Sequence, residues 1–389
     1  MTNLNLFFVL VLLFYPIKSY CINFSTTQKN EYGNFIDSLY KADKMTGLSV
    51  LVTEKGKIIF EKNLGYKDLS KSKDVKNKIK PGDLFRIASI SKTFISTVLF
   101  KLAESGKINF CDDAQNYLNF PLRNPHFPDI PITIGMLMSH TSTINDSLGY
   151  TSLDVLNMNK PKYNKKVFLN EKPGTKYKYS NLNYNLLGAI IENATNKRFD
   201  NVIEEYIIRP LNLKGGYNLT NLDKSKFVKL YNYNWAQNNY IESTTAYKNY
   251  FDDENYQLGF STTEFLPCGG MKISAKDLAT FMNMLINYGE INGVKVISKE
   301  SVQNMETDFK NNNTNYGMGI AKYKNIISNK TLYGATGRAL GLNSAMIFDR
   351  SNNIGFIIIS SGSTSIYTKG MNQIHKPIIR EFYKLINQK

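Results

Sequence analysis

Three cysteines, three histidines and one tryptophan in 389 residues set the first limits. Cys21, Cys111 and Cys268 form no C-x-x-C pair, and His126, His140 and His375 lack metal-ligand spacing. No metal site and no cofactor is therefore expected. At most one disulfide can join Cys111 to Cys268, with two unpaired thiols as the alternative. A glycine-rich phosphate loop and a dinucleotide fingerprint are both missing, as are internal repeats and low-complexity linkers. Acidic residues are few: 32 Asp and Glu against 48 Lys and Arg give a formal charge of +16. The lysines are scattered, with no aromatic–basic repeat of the kind RNA modules use, so no nucleic-acid partner is expected. The excess reads as general compositional bias, although a basic surface would suit a membrane face or a cell-wall polymer.

Long apolar runs are also scarce, with one exception. Leu4, Leu6 and the block Phe7 to Phe14 end at Pro16. The block is shorter than the roughly 18 residues of a spanning helix and fits the apolar region of an export signal. Ser19 and Cys21 suit positions −3 and −1, placing cleavage after Cys21, while Tyr20 argues against a lipoprotein signal. No Lys or Arg precedes the block, so an uncleaved membrane anchor is the alternative. Residues 1–21 are thus read as a signal peptide or anchor of an exported protein, periplasmic or secreted.

The remainder, 22–389, has the composition of a globular chain, with 42% apolar and 21% charged residues overall. Asn30 to Ala42 reads as a helix, and Leu48–Val52 and Lys57–Phe60 as strands around a Lys55-Gly56 turn. Lys276 to Tyr288 carries Leu278, Phe281, Met282 and Leu285 at helical spacing. Strands resume at Ser344–Phe348 and Ile354–Ile359, and a helix follows from about Gly370 to Ile386. The middle shows helical segments and polar loops without a clear β pattern. The expectation is an α+β fold of the α/β sandwich type. Both chain ends, about 30–88 and 260–389, build an antiparallel sheet of five or more strands flanked by helices. An all-helical region, about 89–259, is inserted between them.

Chemistry concentrates at Ser89-Ile90-Ser91-Lys92, which opens an apolar helical run through Phe94, Ile95, Val98, Leu99 and Leu102. A serine and a lysine three apart share one helix face, so the amine can serve the hydroxyl as a base. The helix start adds backbone N–H groups suited to an oxyanion. Ser38-x-x-Lys41 and Ser70-x-x-Lys73 repeat the spacing. The first falls near a helix end of the wrong polarity, and the second in a polar segment with no apolar stripe. Ser91 adjoins Lys92 and cannot face it. Serine chemistry also needs a proton shuttle and a substrate-orienting group. Tyr179-Ser180-Asn181, after the Lys172-Pro173-Gly174 turn and before an apolar helix, offers both, although Tyr-x-Asn also occurs at Tyr32, Tyr117 and Tyr247.

The ordered segments Phe85-Arg86-Ile87-Ala88-Ser89-Ile90-Ser91-Lys92-Thr93, Pro131–Ile134 with Leu137–Ser142, Lys172–Asn181, and Pro267–Met271 with Ser274–Leu278 together resemble the serine β-lactamase and D-alanyl-D-alanine carboxypeptidase superfamily, in its class C-like branch. The resemblance implies that Ser89 is acylated, that Lys92 takes its proton, that Tyr179 shares acid–base work, and that Asn181 holds Lys92 and the substrate amide. His140 is then structural rather than the base of a Ser-His-Asp triad. The family's third motif, Lys-Thr-Gly or His-x-Gly, corresponds to Ala335-Thr336-Gly337, with Arg338 following. Thr336, Gly337 and Arg338 would line the substrate, the Arg338 N–H would pair with that of Ser89 as an oxyanion hole, and Ala335 leaves out the usual cation or imidazole. The implied activity is a D-alanyl-D-alanine carboxypeptidase-like serine hydrolase of peptidoglycan-type peptides. A β-lactamase, an esterase or a non-catalytic ligand-binding homologue are the alternatives. Its partners would be small peptide, β-lactam or ester substrates.

Overall fold

The computed structural model describes residues 22, 24–252, 254–309, 314–368 and 370–388. The leader read at 1–21 lies outside them. No helix among the described residues is long and apolar enough to cross a membrane.

The chain enters through α1 (Thr26–Ala42), then β1 (Gly47–Glu54), β2 (Lys57–Gly65) and the short β3 (Phe85–Arg86). The inserted region holds α2 (Ser91–Glu104), α3 (Ile134–Met138), α4 (Asn181–Thr195), α5 (Phe199–Ile203), β4 (Gly215–Gly216), β5 (Tyr231–Asn234) and β6 (Asn239–Glu242). The return to the sheet passes through β7 (Lys272–Ile273), α6 (Ala275–Ile286), β8 (Glu290–Ile291), β9 (Val294–Lys295) and α7 (Lys299–Glu306). The last strands are β10 (Ala321–Tyr323), β11 (Leu332–Ala339), β12 (Leu342–Asp349) and β13 (Ile354–Ser361), followed by β14 (Tyr367–Thr368), β15 (Met371–Asn372) and α8 (His375–Asn387).

Six strands form the main sheet in the order β10-β11-β12-β13-β1-β2, every neighbour antiparallel. The N-terminal hairpin thus joins the C-terminal meander through β1 and β13, Val50 opposite Ile358. β1, β12 and β13 are buried along their whole length, because helices cover both faces. Leu48, Val50, Val52, Ile347, Phe356 and Ile358 face one core, shared with α1 and α8. Leu51, Met346, Phe348, Ile357 and Ile359 face the other, shared with the inserted region and α6. These strands therefore read as apolar runs rather than alternating ones.

α2 is buried from Ser91 to Phe100 and again at Leu102, as befits a central helix. The Phe94 ring stacks on Phe281 of α6, centroids 3.9 Å apart. α1 starts at Thr26, earlier than the apolar spacing predicts, because Ser25 and Gln28 form a reciprocal capping box. α8 starts at His375, later than predicted, because Tyr367–Thr368 and Met371–Asn372 first pair as the short β14 and β15. The inserted region is not wholly helical: Tyr231–Glu242 is a β-hairpin closed at Asn238, φ +48°. Its polar Asn and Tyr alternation disguises the strands. Cys111 is exposed and Cys268 buried, both as free thiols, so the Cys111–Cys268 disulfide does not form.

Candidate active site

Ser89 stands in a short 3-10 turn, Ala88–Ile90, between β3 and α2. Ala88 adopts φ +50°, a left-handed conformation that costs an alanine about 1–2 kcal/mol. The sharp turn leaves Ser89 half-buried at the mouth of a cleft of about 940 Å³. Gly337 of β11 packs behind it. A Cβ there would fall 2.4 Å from the Ile87 carbonyl oxygen and 3.0 Å from the Ala88 Cβ, so only glycine permits this approach. Ser344 Oγ on β12 donates to the same Ile87 oxygen at 2.9 Å, tying the sheet to the nucleophile segment.

Lys92, in the first turn of α2, is almost wholly buried. Its Nζ lies 3.1 Å from Ser89 Oγ, 2.8 Å from Asn181 Oδ1 and 2.8 Å from the Cys268 carbonyl oxygen. Burial pushes its pKa down to about 8, against a weaker upward pull from Cys268, Asp146 and Tyr150. The Tyr179 hydroxyl donates to Ser89 Oγ at 2.8 Å. Its pKa is raised, first by desolvation within the cleft, so the phenol holds its proton at neutral pH although solvent reaches 38% of the residue. Ser89 is therefore flanked by an amine able to be neutral and a phenol able to donate. That pairing fits a base that takes the serine proton and an acid that passes one on.

Asp146 holds this arrangement. Its carboxylate accepts from the Asn181 and Leu182 N–H groups at 2.9 and 3.0 Å, capping α4. It also accepts from Ser180 Oγ at 2.7 Å and from Asn181 Nδ2 at 2.9 Å. The last bond fixes the amide so that Asn181 Oδ1 faces Lys92. No side-chain spacing signals Asp146, and the Cys268 contact is made by a backbone oxygen, so neither is visible as a sequence motif.

His140 is buried with φ +59°. Its Nδ1 accepts from the Ser180 N–H at 3.3 Å, and its carbonyl accepts from the Lys178 N–H at 2.8 Å. Burial, reinforced by the Lys92 charge, holds its pKa well below the usual histidine range. The ring packs on Tyr179, centroids 4.5 Å apart, so this neutral imidazole shapes the Tyr179–Asn181 loop. The competing serines are otherwise engaged: Ser38 Oγ donates to Phe35 O, Ser70 Oγ to Asp68 Oδ1, and Ser91 Oγ accepts from the Met271 N–H.

β11 forms one wall. Ala335 lines the cleft where the resemblance expects a cation or imidazole, and Arg338 is exposed there, 5.5 Å from the Tyr367 ring centroid. The Thr336 hydroxyl, expected to meet substrate, donates to the Gly370 carbonyl oxygen at 2.6 Å and lies 3.0 Å from the Tyr367 hydroxyl. Tyr150, Tyr177, Tyr316, Tyr323 and Tyr367 complete an aromatic lining that the irregular loop spacing conceals. Among the described residues no group of His, Cys, Asp and Glu is placed to hold a metal ion.

Comparison with known proteins bears on the fold and the family. Protein flp of Staphylococcus aureus strain MW2 is 31% identical over 195 residues, 48% of this chain and 38% of flp. The D-alanyl-D-alanine-carboxypeptidase/endopeptidase AmpH of Escherichia coli K12 is 27% identical over 186 residues, 46% of this chain and 47% of AmpH. The matched stretch thus spans less than half the length of these relatives. The fold is shared with a penicillin-binding protein homologue from Pyrococcus abyssi (TM-score 0.70, 21% identity, 92% of this chain and 77% of that one). It is also shared with D-amino acid amidase from Ochrobactrum anthropi SV3 (TM-score 0.67, 20% identity, 92% and 98%). The Beta-lactamase family profile matches residues 34–372, and the chain belongs to that family of serine hydrolases.

Proposed function

We propose that the protein is an exported hydrolase working through an acyl-Ser89 intermediate, D-alanyl-D-alanine carboxypeptidase-like, on peptidoglycan-type peptides. The observation that carries this reading is the contact of Ser89 Oγ with both Lys92 Nζ at 3.1 Å and the Tyr179 hydroxyl at 2.8 Å. In acylation, neutral Lys92 takes the Ser89 proton as Oγ attacks the substrate carbonyl. The backbone N–H groups of Ser89 and Arg338 receive the oxyanion, and Tyr179 delivers a proton to the departing amine. Water then attacks the ester, its proton passes back through the same groups, and Ser89 regains its own. Carboxypeptidase activity in AmpH, by its name, supports the substrate class. Ala335 favours a second reading, an esterase or amidase, since a small apolar residue there cannot attract a substrate carboxylate.

The test is intact-mass measurement of wild type and Ser89→Ala after incubation with a penicillin and an activated acyl ester. A Ser89-dependent adduct, or Ser89-dependent turnover, is expected. Folded wild type that forms no adduct and turns over no ester would overturn the enzyme reading.

A further inference from the structure

The cleft is lined by Arg86, Lys92, Lys322, Lys324, Arg338 and Lys376, and by no carboxylate among the described residues. Five of these are accounted for: Lys92 serves Ser89, Lys322 approaches Asp308 at 3.9 Å, and Lys324, Arg338 and Lys376 keep contact with solvent. Arg86 differs. It is only 8% exposed, yet no acidic group among the described residues comes within ion-pair distance of it. Its Nε donates to the Gly269 carbonyl oxygen at 2.9 Å. Arg86 lines the cleft, and its Nη groups have no such partner among the described residues. Tyr150, Tyr247, Tyr250 and Cys268 surround the guanidinium and supply no fixed negative charge, and burial lowers its pKa.

A buried cation without a counter-charge is costly to desolvate. A guanidinium cannot escape the cost by losing its proton as a lysine can. The neighbouring strand shows the contrast: Lys272, opposite Arg86 across the β3–β7 pair, is buried and pushed down to about 7 by burial and by the Arg86 charge. The remaining Nη donors form a planar fork that matches a carboxylate through two parallel hydrogen bonds. This subsite lies on β3 beside Tyr150 and Gly269, apart from the β11 wall that carries Ala335 and Arg338.

We propose that Arg86 is the anion receptor of the cleft and that preferred substrates carry a free carboxylate bound by its Nη groups. The proposal rests on the acyl-Ser89 reading for its kinetic test. The alternative is that Arg86 only braces the Gly269 turn, next to the Cys268 oxygen held by Lys92.

The test uses three chromogenic esters on the full chain: one neutral, one with a carboxylate on the acyl part, and one with a carboxylate on the leaving group. The readout is the ratio of kcat/KM for each acidic ester over the neutral one. Wild type is expected to prefer at least one acidic ester by about tenfold. Arg86→Gln should erase that ratio through KM, and Arg86→Lys should restore part of it. A ratio unchanged in folded Arg86→Gln, or a wild type without acidic preference, overturns the proposal. Binding of the acidic esters to Ser89→Ala, with and without Arg86→Gln, is measured in parallel by calorimetry. Should wild type turn over none of the esters, binding that Arg86→Gln abolishes still supports the anion site, and binding that is absent from Ser89→Ala or unchanged by Arg86→Gln decides against it.

Discussion

A lysine amine held near pKa 8 against a serine hydroxyl is the residue-scale fact with the most direct consequence. As a base it must be neutral, so kcat/KM should climb with pH along a limb centred near 8 and level off above it. Asp146 raises the Lys92 pKa through its charge, and Asp146→Asn removes that charge. The limb should then move to lower pH while kcat falls by up to about 100-fold, because Asn181 and the start of α4 lose their anchor. A pH–rate profile of both proteins on one ester checks this. A fall in kcat with an unmoved limb would separate Asp146 from the Lys92 proton. The Ser89–Lys92 spacing is legible because a base must reach its hydroxyl across one helix turn, whereas Tyr179 and Asn181 stand out only through the family resemblance, since Tyr-x-Asn also occurs at Tyr32, Tyr117 and Tyr247. Asp146, Arg86 and the Cys268 oxygen are not legible, since their roles arise only when distant loops meet.

At the scale of elements, apolar spacing located the strands and helices that pack, and missed those set by local polar bonds. β1, β13 and α6 lie where their apolar residues indicate. The capped start of α1 and the Tyr231–Glu242 hairpin depend on Ser25, Gln28 and Asn238, whose signals are short and polar. α8 raises a separate question at its first residue. His375 is fully buried, neither ring nitrogen has a hydrogen-bond partner, and burial pushes its pKa down to about 3. The unfolded chain binds a proton near pH 6.5 that the folded one refuses. Stability is thus complete above pH 6.5 and is lost as pH falls toward 3, with a slope approaching about 1.4 kcal/mol per pH unit for this group. His375→Leu should flatten that slope, read as denaturant midpoints between pH 4 and pH 7. Equal acid sensitivity in both proteins would exclude His375 as a source.

The whole molecule has two apolar cores on one sheet. Phe382 of α8 belongs to the core shared with α1, and Phe94 of α2 to the core that underlies the cleft. Two cores allow two unfolding units, but β1, β12 and β13 send side chains into both, so neither core survives without the same strands. Removing either ring should cost about 3–5 kcal/mol and lower a single shared transition. The sheet also carries Gly337 and Ser344 against Ile87 and Ala88, which links the remote α1–α8 layer to the position of Ser89. Phe382→Ala, on the far side of the sheet from the cleft, should therefore lose ester turnover and far-UV circular dichroism at the same denaturant concentration, as should Phe94→Ala. If Phe382→Ala instead unfolds in two steps, with turnover surviving the first, the α1–α8 layer is an independent unit and the coupling through the shared strands is wrong.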